Sequence, residues 1–233
     1  MCFFIATVNS LMKASKTGGP PMTTLLQLNS SIFSAGGQSS RLADEFVAAW
    51  RESHPDSEVI VRDLARDVVP HLDAERFGAF VAKPDERSDA QRAVLDFSDA
   101  LIDELQHADV IVLGLPMYNF GVPSMLKAYF DHVARAGVTF RYTEKGPVGL
   151  LTGKKVYVFA ARGGLYAGTP LDTQTAYVRD FLRFIGMTDV EFIYAEGLAM
   201  SAEHKEAALA QAYRTIDRLA PREVKAALEA VAA

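Results

Sequence analysis

The sequence predicts a three-layer α/β fold: five parallel strands in the order 2-1-3-4-5, with helices on both faces. Three observations carry this prediction. Short apolar runs alternate with amphipathic stretches from Met22 to about Ala220, the pattern of a parallel sheet wrapped by helices. The run Val110 to Leu115 is β-branched and uncharged, as a strand buried on both faces should be. Glycine- or aromatic-bearing loops follow the first, third and fourth runs. In this strand order those three are neighbours at the switch point, where open α/β sheets bind ligands.

The elements follow in order. Leu25 to Asn29 is the first strand, and a Ser/Gly-rich loop, Ser30 to Ser39, leads to a helix over about 39–52. Leu42, Phe46, Ala49 and Trp50 recur there at helical spacing, and Ser39 or Ser40 can cap it. Glu58 to Asp63 is the second strand. Residues 68–87 are irregular, broken by Pro70 and Pro84, and long enough to be a lid or an interface. Ser88 to His107 is an amphipathic helix with Val94, Phe97, Leu101 and Leu105 on one face. The third strand ends at Pro116, and a helix runs from about Pro123 to Arg135. Residues 139–155 form a turn-rich excursion. Lys155 to Ala161 is the fourth strand, Asp172 to Ile185 a helix stopped by Gly186, Val190 to Ala195 the fifth strand, and Ser201 to Leu219 the closing helix.

Composition bounds the function. The chain has 233 residues, a net charge of −5, and no apolar stretch long enough to span a bilayer as a helix. Mild acidity argues against nucleic acid as a partner. Met1 to Pro21 reads as a disordered leader and 221–233 as a short tail, leaving 22–220 as one domain. The leader holds Cys2, the only cysteine, so the domain has no thiol for a disulfide, an iron–sulfur cluster or a nucleophile. The histidines, His54, His71, His107, His132 and His204, show no metal-ligand spacing, so no metal is expected. Cytoplasm is the default location.

The loops carry the chemistry. Met117-Tyr118-Asn119-Phe120 places two aromatics and an amide at a strand's carboxyl end, which suits a flat heteroaromatic ligand; the alternative is a loop whose rings only cover the core. Ser30 to Ser40 opens into a helix, where free N–H groups attract phosphate. It lacks the Walker ending and the dinucleotide fingerprint, so it fits a monophosphate, or else a flexible turn with a cap. Arg162-Gly163-Gly164 offers backbone amides beside a planar ligand, or is a plain turn. A phosphoacceptor receiver domain is excluded, because Asn29-Ser30-Ser31 and Leu115-Pro116 stand where it needs acids.

Several motifs together resemble a known family. Pro116-Met117-Tyr118-Asn119-Phe120, Leu126-Lys127-Ala128-Tyr129-Phe130-Asp131, Ala136-Gly137-Val138-Thr139-Phe140-Arg141-Tyr142 and Phe184-Ile185-Gly186 are similar to bacterial FMN-dependent NADH-azoreductases, which also act as NAD(P)H:quinone oxidoreductases. The resemblance covers Met22 to about Leu219. It implies a flavodoxin-like fold and a homodimer with FMN at the subunit boundary. It assigns Ser31, Gln38 and Ser39 to the phosphate and ribityl end, and Met117, Tyr118, Asn119 and Phe120 to the isoalloxazine. Arg162, Gly163 and Gly164 would meet the pyrimidine side through backbone groups. Phe120, Tyr142, Tyr166 and the partner's Phe184 would shape the substrate slot. Gly37 and Ala161 belong to the same cofactor stretches, but stand where the family often has serine, so two hydroxyls are missing. Tyr166 stands where some members carry histidine.

The implied reaction needs no catalytic dyad, because flavin carries the hydride. NADH or NADPH and then a quinone or azo compound would occupy one pocket in turn, giving ping-pong kinetics. A flavodoxin-type electron carrier is the alternative, disfavoured by the long segments 68–87 and 139–155. A nucleotide-binding regulatory module without redox activity is a third reading.

Overall fold

The computed structural model describes residues 23–220. The expected leader, the tail and Met22 lie outside the described residues. Strands β1 (Thr24–Asn29), β2 (Glu58–Asp63), β3 (Val110–Pro116), β6 (Lys155–Ala161) and β7 (Asp189–Ala195) form one parallel sheet ordered β2-β1-β3-β6-β7. The expected order 2-1-3-4-5 is corrected in its numbering. A small antiparallel hairpin, β4 (Phe140–Thr143) and β5 (Gly146–Gly149), stands between the third and fourth strands of the main sheet. It is the excursion expected over 139–155. Its four-residue strands are too short to announce themselves by alternation, and β5 is also rich in glycine and proline.

Helices α1 (Gln38–Ser53) and α6 (Ala202–Leu219) cover one face of the sheet, and α3 (Asp89–His107), α4 (Ser124–Val133) and α5 (Thr173–Ile185) the other. Successive strand side chains point to opposite faces, and the two cores divide accordingly. Leu25, Val112 and Phe159 join Leu42, Phe46, Trp50 and Ile216 on the α1/α6 side. Leu26, Ile111, Leu113, Val156 and Val158 join Leu101, Leu105, Leu126 and Leu182 on the other. Phe46 is fully buried, with its ring 4.6 Å from Tyr157 and 5.5 Å from Phe159. Burial of such a ring contributes about 1.5–3 kcal/mol.

Local rules explain the helix ends. Ser88 and Gln91 form a capping box at α3, Ser201 caps α6, and Gly186 ends α5 at φ 112°. Two expectations change. Residues 68–87 contain a helix, α2 (Ala74–Val81), capped by Asp73, whose eight residues are too few for a clear period. The cap of α1 is neither Ser39 nor Ser40 but Gly37, which offers no side chain. Both serines instead lie inside the first turn and are buried.

The hairpin is pinned to the far end of α5. The Leu151 amide donates to the Ile185 carbonyl at 2.9 Å, and the Phe140 and Phe184 rings lie 4.3 Å apart. Gly149 makes this approach possible, since a Cβ there would stand 2.1 Å from the Gly186 nitrogen and 2.4 Å from its Cα. Backbone cannot swing aside as a side-chain tip can. Gly149→Ala is therefore expected to cost about 3 kcal/mol, lowering Tm by roughly 6–12 °C in thermal unfolding. Gly78→Ala is the control, because it lies within α2 with nothing inside 4 Å of its Cβ position. It should be stabilising by about 0.5–1 kcal/mol.

Candidate functional site

Parallel pairing aligns the carboxyl ends of β1, β3 and β6. Asn29 sits opposite Gly114, and Pro116 opposite Ala161. The three expected loops therefore leave one edge of the sheet side by side, and hydrogen bonds join them. The Ser31 and Tyr118 hydroxyls meet at 3.3 Å, linking the first loop to the second. The Met117 amide donates to the Ala161 carbonyl at 3.0 Å, linking the second to the third.

The first loop ends in a set of unused donors. The Arg41 amide is the first in α1 to find a backbone partner, donating to the Gly37 carbonyl at 3.0 Å. The amides of Gln38, Ser39 and Ser40 have none among the described residues, as at any uncapped helix start. The hydroxyls of Ser39 and Ser40 are also buried and unpartnered among the described residues. Buried polar atoms without partners are rare, and five donors facing one end of a helix dipole describe an anion cradle. The serine missing at Gly37 has a steric reason. A Cβ there would stand 2.2 Å from the Ser31 hydroxyl oxygen, so Ser31 fills the space from the neighbouring position.

The second loop makes a tight turn. The Tyr118 and Gly121 backbones exchange hydrogen bonds of 3.2 and 3.0 Å around Asn119 and Phe120. Both central residues are left-handed, with φ of 48° and 64°. Asn tolerates this conformation, whereas a phenylalanine there is strained. The turn exposes both side chains, and the Asn119 side chain and the Asn119 and Phe120 amides are unpaired among the described residues. Beside the turn opens a cleft of about 460 Å³ lined by Ile32, Tyr118, Asn119, Val122, Pro123 and Ser124.

The third loop divides differently from expectation. The Arg162 amide donates to the Ala195 carbonyl at 2.9 Å, and its own carbonyl accepts from Leu198 at 3.1 Å. Its backbone is thus taken up by the fold. Its side chain points inward, 1% exposed, with the guanidinium 5.0 Å over the Tyr194 ring. One nitrogen reaches Glu196 at 3.0 Å; another reaches both Asp172 and the Thr175 hydroxyl at 2.9 Å. Glu196 in turn accepts the Tyr166 and Ala167 amides at 3.0 Å. Burial pushes the Asp172 carboxyl up, but hydrogen bonds from Arg162 and Thr175 outweigh it and hold the group below the usual carboxylate range. The Gly163 and Gly164 amides remain unpaired among the described residues, so these two offer the loop's free donors.

The expected substrate residues separate into two groups. Phe120 and Tyr166 meet edge-on at the sheet edge, with centroids 5.6 Å apart. Tyr142 lies on β4 beside Phe140, and Phe184 packs on Phe140 near the end of α5. Phe184 lies eleven helical steps beyond Thr173, whose hydroxyl touches the Phe120 carbonyl, which is about 16 Å along the axis. Tyr142 and Phe184 thus belong to the opposite end of the sheet from the loops.

Sequence reading placed Ser40 in the phosphate-attracting loop without assigning it to the site, and missed Asp172, Glu196, Thr173 and Gln174 behind the loops. Ser40 was visible beside Ser39. Nothing in the local sequence marks the other four, because their partners lie 10–58 residues away.

Comparison with known proteins supplies the family. Residues 23–220 match the model of the flavodoxin-like fold family. The chain is 56% identical over 197 residues to an FMN-dependent NADH:quinone oxidoreductase of Cellvibrio japonicus, covering 84% of this chain and 98% of that one. It is 58% identical over 195 residues to FMN-dependent NADH:quinone oxidoreductase 6 of Burkholderia lata, with the same coverage. Its fold superposes on a crystal structure of an FMN-dependent NADH-azoreductase from Bacillus anthracis in complex with FMN. There the TM-score is 0.76 and the identity 26%, over 85% of this chain and 100% of the other. The chain belongs to the flavodoxin-like fold family, among the FMN-dependent NADH:quinone oxidoreductases and NADH-azoreductases.

Proposed function

We propose that this protein is an FMN-dependent oxidoreductase that uses NADH to reduce quinones and aromatic azo compounds. One observation carries the reading. Five unpaired donors at the start of α1 share a sheet edge with the free Gly163 and Gly164 amides and the exposed Asn119–Phe120 turn. That is the donor set FMN requires: an anion cradle at one end and amide donors for a ring edge at the other.

Bound FMN supplies the two-electron chemistry. The chain's residues bind, orient and exclude water. Ser31, Gln38 and Ser39, joined by Ser40, hold the phosphate and ribityl end. Met117, Tyr118, Asn119 and Phe120 line the ring, with Asn119 able to donate and accept at its edge. Gly163 and Gly164 carry the donors of their loop, while Arg162 acts from within. Phe120 and Tyr166 flank the substrate slot.

Tyr142 and Phe184 reach that slot only from a second subunit, because within one chain they lie at the other end of the sheet. A homodimer is therefore part of the proposal. So is a cytoplasmic location, where NADH is the available reductant.

The purified protein should show flavin absorbance, and the released cofactor should run as FMN. Steady-state rates with NADH and a quinone should give parallel double-reciprocal lines, since one slot serves donor and acceptor in turn. A folded sample that binds no added FMN would overturn the reading, and intersecting lines would reject the shared slot.

A further inference from the structure

We propose that Thr173 and Gln174, the first two residues of α5, are positioning residues that clamp the Asn119–Phe120 turn in its left-handed conformation at the ligand edge. The turn does not hold itself. A two-residue reversal with positive φ at both centres favours Asn-Gly, and Phe120 occupies the place that glycine suits. Its closing bonds, Tyr118 to Gly121 and back, leave the carbonyls of Pro116 and Phe120 and the outer lone pair of Gly121 to be met from elsewhere.

The start of α5 meets all three. The Gln174 side-chain nitrogen donates to the Pro116 carbonyl at 2.9 Å and to the Gly121 carbonyl at 3.2 Å. It thereby ties together the two ends of the loop. The Thr173 hydroxyl donates to the Phe120 carbonyl between them. Gln174 is 1% exposed, and its own side-chain oxygen is buried without a partner among the described residues. A glutamine is an expensive choice for such a place unless its donors are needed. Rotating the amide would set oxygen against two carbonyl oxygens, so only one orientation fits.

The clamp has a firm base. Asp172 caps α5 by accepting the Thr175 amide at 3.0 Å, and Arg162 holds Asp172 from inside the sheet. The Phe120 ring, the Asn119 side chain and the two free amides of the turn are thereby oriented by the start of α5. The clamp is independent of what binds; its effect on FMN rests on the function proposed above.

The test uses Gln174→Met, which keeps length without donors, and the pair Thr173→Val and Thr173→Ser, which remove and retain the hydroxyl at an exposed position. Amide hydrogen exchange over 117–122 in the apo, full-length protein should quicken about tenfold in Gln174→Met and Thr173→Val. Exchange across β1 should stay as in the parent, and Thr173→Ser should restore the parent rate. FMN affinity should weaken about five- to 20-fold in the first two variants, with a changed visible circular dichroism of the bound flavin. Unchanged exchange over 117–122, or a Thr173→Ser variant that behaves as Thr173→Val, overturns the clamp. Faster exchange with unaltered FMN affinity and spectrum overturns its role at the ligand. If Gln174→Met does not fold, the Thr173 pair decides. A parent that binds no FMN overturns the proposed function instead, and the exchange rates still decide the clamp.

Discussion

Replacing Arg162 with methionine is expected to cost about 3–5 kcal/mol, the penalty for breaking a buried ion pair from one side. At roughly 2–4 °C per kcal/mol for a chain of this size, Tm should fall by about 6–20 °C. Methionine fills much of the space but leaves Asp172 and Glu196 as two low-exposure carboxylates without their shared cation. The loss should depend on pH. In the parent, the Asp172 carboxyl lies below its ordinary range, so its contribution is present above the unfolded value near 4 and disappears as pH falls through the folded value. In the variant the sign reverses, because burial without the cation favours the protonated form of Asp172. The gap between parent and variant should be widest at neutral pH and narrow toward pH 5. Urea unfolding of both apo proteins at the two pH values measures this. A difference below about 1 kcal/mol at neutral pH would show that the network is not the support described. Because Glu196 holds the Tyr166 and Ala167 amides and Asp172 starts α5, both flanks of the Phe120–Tyr166 pair should loosen together.

Ser39→Asp should nearly abolish FMN binding while sparing the apo fold. The position lies in the first turn of α1, among unpaired amides that favour a negative side chain. A carboxylate there occupies the cradle proposed for the phosphate. Two unit charges about 4 Å apart at an effective dielectric near 20 repel by about 4 kcal/mol, so FMN affinity should fall roughly 100- to 1,000-fold. Riboflavin lacks the phosphate and should bind the variant about as well as it binds the parent. Ser39→Ala removes one donor and should cost about 1–2 kcal/mol of FMN binding. Equal losses for FMN and riboflavin in Ser39→Asp would show that the residue does not face a phosphate. Fluorescence titration of the three apo proteins with both flavins gives all six affinities.

The same division separates what could be read early from what could not. The helix over about 88–107 and the strand at 110–115 were legible because each carries its own period and its own end signals. Ser88 with Gln91 starts the helix, and Pro116 ends the strand. The hairpin at 140–149 and the helix Ala74–Val81 were not, being too short for a period to emerge and held by neighbours such as Gly186 and Asp73. Ser39 was offered both as a phosphate donor and as a cap. Only the observed helix start, with Gly37 as cap, leaves its hydroxyl free.

The alternation of strand and helix, the apolar faces of the helices and the three loops at strand ends were determined by the sequence alone. All depend on interactions between near neighbours, which a linear pattern records. The role of Arg162 was decided only by tertiary structure. In sequence it is one basic residue beside two glycines, and its amide looked available for a ligand. In the fold that amide is consumed by Ala195, and the side chain gathers Asp172, Thr175 and Glu196 from 10 to 34 positions away. The inward placement of Gln174 and the distance of Phe184 from the loops were decided in the same way. Each depends on which element a side chain meets after the sheet has closed, and that depends on contacts between residues far apart in the chain.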